Sequence, residues 1–173
     1  MLPMEKMSDA LLGSRILLID DSVSFRRLTA AVLSKLGVAS VTQAGSLAEG
    51  MCKMNYLCPD IYDAPEFDLV LMDINLPDGN GIEGCEFISS HANTYNIPVV
   101  VMSGTSYALT INEAFQAGAS DFLQKPLVRS ILGTRLGMLM ALTSREAGEY
   151  GVESAPARPV GYTGTFELSQ TKR

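Results

Sequence analysis

Asp73 closes the apolar run Phe67-Asp68-Leu69-Val70-Leu71-Met72 and is followed at once by Ile74-Asn75-Leu76-Pro77-Asp78-Gly79. A strand that stays apolar up to one carboxylate and then breaks into a Pro/Gly turn holds that carboxylate at the carboxyl edge of a sheet, where open α/β folds keep their chemistry. Asp20 and Asp21 follow a second such run, Ile16-Leu17-Leu18-Ile19. Lys125 follows a third, Asp121-Phe122-Leu123-Gln124, and precedes Pro126. Three carboxylates and one ammonium at strand ends suit a hard cation such as Mg²⁺, which takes a few carboxylate or carbonyl oxygens and keeps waters. Crowded carboxylates raise one another's proton affinity unless a cation sits among them. A metal there would keep Asp73 ionised and nucleophilic, and transfer of a phosphoryl group to its oxygen then needs mainly positioning and charge neutralisation. Mg²⁺, the Lys125 ammonium and the Ser103 hydroxyl are the groups expected to take the phosphoryl oxygens.

The elements that must hold these residues follow from alternating short apolar runs and helical patterns, the signature of a parallel sheet covered by helices on both faces. Strands are expected at Arg15–Asp20, Val38–Ala44, Phe67–Asp73, Pro98–Ser103 and Asp121–Gln124. Phe25, Leu28, Val32 and Leu36 stand at helical spacing and stop at Gly37. Ser46-Leu47-Ala48-Glu49 reads as a capping box opening a second helix. Further helices are expected from Gly81 or Ile82 to His91, from Leu109 to Ala117 before Gly118, and from Leu127 to Ala147. The last carries Val128, Ile131, Leu132, Arg135, Leu136, Leu139 and Leu142 as an apolar stripe. Residues 55–66 read as an acidic surface loop inserted between helix and strand. The expected division is 1–13 as an N-terminal extension, 14–147 as the domain and 148–173 as a flexible tail poor in apolar periodicity.

The 173 residues, 47% of them hydrophobic, suit one domain with a real core. A formal net charge of −6 and a pI near 4.7 argue against binding a nucleic-acid backbone, which rests on clustered Lys and Arg. No apolar stretch approaches the length of a membrane helix, and Glu5 and Asp9 stand where a secretory signal would be apolar. A cytoplasmic protein without membrane contact is therefore expected. Cys52, Cys58 and Cys85 form no Cys-x-x-Cys pair and are read as buried or idle thiols in a reducing compartment.

Asp20-Asp21, Asp73 with Leu76-Pro77 and Gly81, Val99-Val100-Val101-Met102-Ser103-Gly104, and Gly118-Ala119-Ser120-Asp121-Phe122-Leu123-Gln124-Lys125-Pro126 occur in one order along the chain. In that order they resemble the response-regulator receiver domain of two-component signalling, CheY-like, over about residues 14 to 141. The resemblance implies a (βα)₅ flavodoxin-like, doubly wound parallel sheet of order 2-1-3-4-5 with an extended last helix. It implies that Asp73 is the phosphoacceptor and that Asp21 and Asp73 bind Mg²⁺ with the Asn75 carbonyl, Asp20 reaching the metal through water. Ser103 would be the switch hydroxyl, Phe122 the switch aromatic, and Lys125 the phosphate-contacting lysine with a cis bond to Pro126. Gly104 fills a position usually given to Ala, and Phe122 lacks the hydroxyl of the frequent Tyr.

Singly, these residues have plainer roles. An Asp-Asp pair ordinarily caps a turn or helix, Ser103 would bond its local backbone, and His91 reads as a surface residue at a helix end. The set in receiver order carries the sharper reading. A phosphohistidine on a sensor histidine kinase or histidine phosphotransfer protein would donate to Asp73, and the chain would signal by a change of shape to a downstream protein partner. It is expected to be a switch with self-catalysed phosphorylation and autodephosphorylation, not an enzyme. No DNA-binding or other output pattern follows Ala147, so a protein contact or a relay role is expected, with a homodimer through the last helix as one form. An aspartyl-phosphate hydrolase of the haloacid-dehalogenase type is the alternative, but it wants Asp-x-Asp at its first strand, and Asp73-Ile74-Asn75 has Asn at the acid's place. A degenerate receiver acting only as a binding module is the other, and the intact Asp20, Asp21, Asp73 and Lys125 speak against it.

Overall fold

The apolar runs become the strands of one parallel sheet. The computed structural model describes residues 9–54, 67–91, 94 and 96–149, with side chains described to residue 143. In chain order the elements are β1 (Arg15–Ile19), α1 (Val23–Ser34), β2 (Ser40–Ala44), α2 (Leu47–Lys53), β3 (Leu69–Asp73), β4 (Asn75–Leu76), β5 (Gly79–Asn80), α3 (Gly81–Ser90), β6 (Val99–Ser103), α4 (Ala108–Gln116), β7 (Asp121–Gln124) and α5 (Arg129–Glu149). The large sheet runs β2-β1-β3-β6-β7, all neighbours parallel, which is the order 2-1-3-4-5 when its own five strands are counted. β4 and β5 form a small antiparallel pair just after Asp73.

β3 and β6 are buried at every position, as expected of strands covered by helices on both faces. Their side chains alternate between two cores. Leu17, Ile19, Val70, Met72, Val99 and Val101 pack with Leu47 and Met51 of α2, Cys85 and Ile88 of α3, and Ala114 of α4. Ile16, Leu18, Leu71, Val100 and Met102 pack with Leu33 of α1 and with Leu132, Leu136 and Met140 of α5. Three helices, α1, α2 and α3, start on a side chain that satisfies an otherwise unpaired N–H. The Phe25 N–H donates to Ser22 Oγ, the Glu49 N–H to Ser46 Oγ and the Ile82 N–H to Asn80 Oδ1. At α2 the capping box is shifted by one residue, because Glu49 Oε2 accepts from the Gly45 N–H at 2.6 Å.

Several expectations are corrected. β2 starts at Ser40 rather than Val38, whose N–H instead bonds the Leu33 carbonyl at the end of α1. β3 starts two residues after Phe67. The presumed N-terminal extension enters the domain at Leu11, which is fully buried in the second core. Val128, just before α5, and Ile131 and Leu142 on it are exposed, while Leu132, Leu136 and Met140 are buried. Counting every apolar residue had merged two adjacent helix faces, since Ile131 and Leu132 lie about 100° apart around the axis. Cys85 is a free buried thiol, raised by burial to about 11. Cys52 is disulfide-bonded, so it is not an idle thiol. Cys58, the 55–66 insertion and the tail from 150 onward lie outside the described residues.

Candidate functional site

Parallel strands place every carboxyl end on one edge, and five of the sequence-expected residues meet there. Asp20 and Asp21 follow β1, Asp73 ends β3, Ser103 ends β6, and Lys125 follows β7. Asp20 is fully buried, Asp73 is 4% exposed and Asp21 faces solvent. One carboxylate oxygen from each lies within 4.8 Å of the others. The Lys125 ammonium enters the same space, 2.5 Å from Asp20 Oδ2 and 3.0 Å from Asp73 Oδ2. Its backbone is tied by its own N–H to the Ser103 carbonyl at 2.8 Å, and the bond to Pro126 is cis, as expected.

Two buried acids beside one ammonium and a third, exposed acid leave the site negative. Burial holds the Asp73 carboxyl above its ordinary proton affinity, with Lys125 pulling the other way and Asp20 and Asp21 adding repulsion. The donor set is all oxygen, one member faces water, and the charge excess is anionic. These residues fit a hydrated Mg²⁺ ion.

The turn after Asp73 is also fixed. The Gly81 N–H donates to the Ile74 carbonyl at 2.8 Å. Asp78 uses both carboxylate oxygens to accept from the Leu47 and Ala48 N–H groups, each at 2.8 Å, so the loop carrying Asn75 is fastened to the N-terminus of α2. Asn75 itself is exposed in β4, in register with Asn80.

Ser103 is buried and its Oγ accepts the Thr105 N–H at 3.1 Å, the local role the plainer reading assigns to it. Phe122 is 7% exposed and packs in the first core, in keeping with a ring that has no hydroxyl to keep in water. His91 caps the end of α3 with Nδ1 2.7 Å from the Phe87 carbonyl oxygen.

Two residues of the site escaped the sequence reading. Arg26 Nη1 donates to the Asp20 carbonyl at 2.5 Å and to the Asp21 carbonyl at 3.1 Å, clamping the loop that bears both acids. The ring of Phe25 lies under Lys125, its centroid 4.3 Å from Nζ. The available signal was their place in the first turn of the helix that follows the acidic pair.

A family model described as the response regulator receiver domain matches residues 16–136. The chain is 31% identical over 115 residues to the chemotaxis protein CheY of Thermotoga maritima, covering 66% of this chain and 88% of that protein. It is 34% identical over 119 residues to the CAI-1 autoinducer sensor kinase/phosphatase CqsS of Vibrio cholerae, covering 68% of this chain and 16% of the kinase. Identity to the transcriptional regulatory protein GltR of Pseudomonas aeruginosa is 28% over 130 residues, covering 74% of this chain and 49% of the regulator. The chain thus spans less than half the length of these two relatives. Among solved structures, a CheY-like response regulator receiver domain protein from Methanospirillum hungatei superposes with a TM-score of 0.67 at 25% identity, covering 78% of this chain and 98% of that one. No described helix is long and apolar enough to cross a membrane.

Proposed function

Because the chain belongs to the response-regulator receiver family of two-component signalling, we propose that it accepts a phosphoryl group on Asp73 from a phosphohistidine and passes the signal on by a change of shape. The observation that carries this reading is the meeting of Asp20, Asp21, Asp73 and Lys125 at one sheet edge. The donor is a sensor histidine kinase or a histidine phosphotransfer protein. An Asp73 oxygen attacks phosphorus, the P–N bond to the imidazole breaks, and an acyl phosphate forms. Asp20, Asp21, Asp73 and the Asn75 carbonyl would hold Mg²⁺, which neutralises charge on the transferring oxygens. Lys125 takes one of those oxygens as it leaves Asp73, and Ser103 takes another by giving up its turn with Thr105. Hydrolysis of the acyl phosphate returns the resting state, so the protein is a self-resetting switch and not an enzyme with a separate product.

The output reading rests on the exposed apolar residues Leu109 of α4 and Ile131, Met138 and Leu142 of α5. They offer a surface for a downstream protein or a second copy of the chain. The test uses acetyl phosphate and Mg²⁺ with intact-mass detection. One phosphoryl group should be added, labile to hydroxylamine and absent when the metal is chelated, and light scattering of the labelled sample reads any change in assembly. A chain that takes no label under these conditions, or takes it without metal, is not working in this way.

The metal half is tested separately. Asp21→Ala removes the exposed acid, and Mg²⁺ affinity measured by calorimetry should fall at least about tenfold, roughly 1.4 kcal/mol. An unchanged titration would show that these acids are not the ligands.

A further inference from the structure

We propose that Phe25 is a positioning residue for Lys125, its ring holding the ammonium at the site while the carboxylates are otherwise engaged. This inference rests on the phosphoacceptor reading and adds a residue to it. Among the described residues, Lys125 Nζ lies against Asp20 Oδ2, Asp73 Oδ2 and the face of Phe25, 4.3 Å from the ring centroid. The Lys125 side chain is only 19% exposed, so the attraction between the ammonium and the π face is little screened by water. Phe25 itself is held in place from two sides. Its N–H is bonded to Ser22 Oγ in the first turn of α1, and its side chain packs against the second core beside the sheet. Ser22 is in turn fastened by its N–H to Asp20 Oδ1 at 2.8 Å, so the same turn that bears the acid also sets the start of the helix carrying the ring.

The three ties differ in what competes for them. Asp20 and Asp73 belong to the acidic cluster that fits a cation, and Asp73 is also the proposed acceptor. Whatever cation or phosphoryl group arrives draws on both carboxylates and weakens their hold on Lys125. The ring is drawn on by neither. It is also non-directional, so the ammonium can turn a proton toward a phosphoryl oxygen without leaving the face. A flexible four-carbon side chain that lost both carboxylates would otherwise regain its rotamer freedom and swing toward solvent.

The alternative is that Phe25 only fills space beside the core. A double-mutant cycle on the acetyl phosphate labelling rate separates the two. Phe25→Leu keeps apolar bulk and removes the π face, and should slow labelling about 3- to 10-fold, the range expected of a partly desolvated cation–π contact. Phe25→Tyr keeps the ring and should label within about twofold of the wild-type rate. In a Lys125→Met background, Phe25→Leu should have no further effect. Equal slowing with and without the lysine, or no slowing at all, overturns the proposal. A second readout needs no phosphorylation. The Lys125 ε-methylene proton signal should be shifted upfield by the ring, stay so when Mg²⁺ is added, and return to the free-lysine position in Phe25→Leu. A wild-type signal at the free-lysine position with Mg²⁺ present overturns the proposal even if labelling proceeds. Failure of wild-type labelling with the upfield signal intact would count against the phosphoacceptor reading alone.

Discussion

Asp73→Asn should take no label from acetyl phosphate and Mg²⁺ under conditions that label the wild type fully, because the amide has no oxygen nucleophile of comparable strength at the end of β3. Asp20 is buried against Lys125 and Arg26 holds its backbone, so it is not free to substitute for the missing acceptor. Continued labelling at the wild-type rate would move the acceptor elsewhere. The same variant has an opposite effect on stability, with a definite sign. Burial raises the Asp73 carboxyl above its ordinary value, more than Lys125 lowers it. A carboxyl whose folded value lies above its unfolded one costs nothing below the unfolded value, and its cost is complete once pH exceeds the folded value. Without added metal, Asp73→Asn should therefore melt at a higher temperature than the wild type at neutral pH. The gap should close as pH falls through the folded value and both proteins carry a neutral group there. Mg²⁺ should raise the wild-type melting temperature more than that of the variant, since binding to the folded state alone stabilises it. A variant that melts below the wild type at neutral pH would show that the Asp73–Lys125 contact outweighs burial.

The site was legible where it depends on strand ends. An apolar run that stops at a carboxylate places that carboxylate, whatever the rest of the chain does, and Asp20, Asp73 and Lys125 stand where that argument puts them. The cis bond before Pro126 and the strand order came from the resemblance and could not have come from spacing. What stayed hidden depends on contacts between distant segments. Asp78 reads as one more turn acid in Leu76-Pro77-Asp78-Gly79, yet it caps a helix some 30 residues earlier in the chain. Phe25 reads as the first apolar residue of an amphipathic helix, and only the fold brings Lys125 over it. The faces of α5 were misread for a related reason. Its apolar residues cover more of the helix than the sheet can accept, so composition does not say which line goes in. The line that enters is Leu132, Leu136 and Met140, at i, i+4 spacing, where α5 lies across the second core with Leu33 and Leu11. Leu11 was missed because a short segment before the first strand carries no periodicity.

Gly81→Ala should damage both the fold and the site, because Gly81 is a close-approach position with no space for a side chain. A Cβ there would lie 1.9 Å from the Asp73 carbonyl oxygen, 2.8 Å from its carbonyl carbon and 3.0 Å from Met72 Cγ. The methionine could give way, but the Asp73 carbonyl belongs to the backbone of a central strand and cannot turn aside. Either the start of α3 moves out, breaking the Gly81 N–H bond to the Ile74 carbonyl, or the end of β3 moves and carries the Asp73 carboxylate with it. Overpacking of this kind costs about 1–3 kcal/mol where side chains can adjust, and a backbone obstacle puts this position at about 3 kcal/mol or above. Gly104→Ala is the control, since nothing lies within 4 Å of its added Cβ, and it should stay within about 0.5 kcal/mol of wild type. Urea denaturation would measure both. Labelling of folded Gly81→Ala should fall more than about tenfold if the strand end yields, because a displacement near 1 Å at the reacting group is costly in rate. Stability lost with labelling intact would show that α3 gives way instead. Stability equal to that of Gly104→Ala would mean that the approach of Gly81 to Asp73 is not the constraint on this turn.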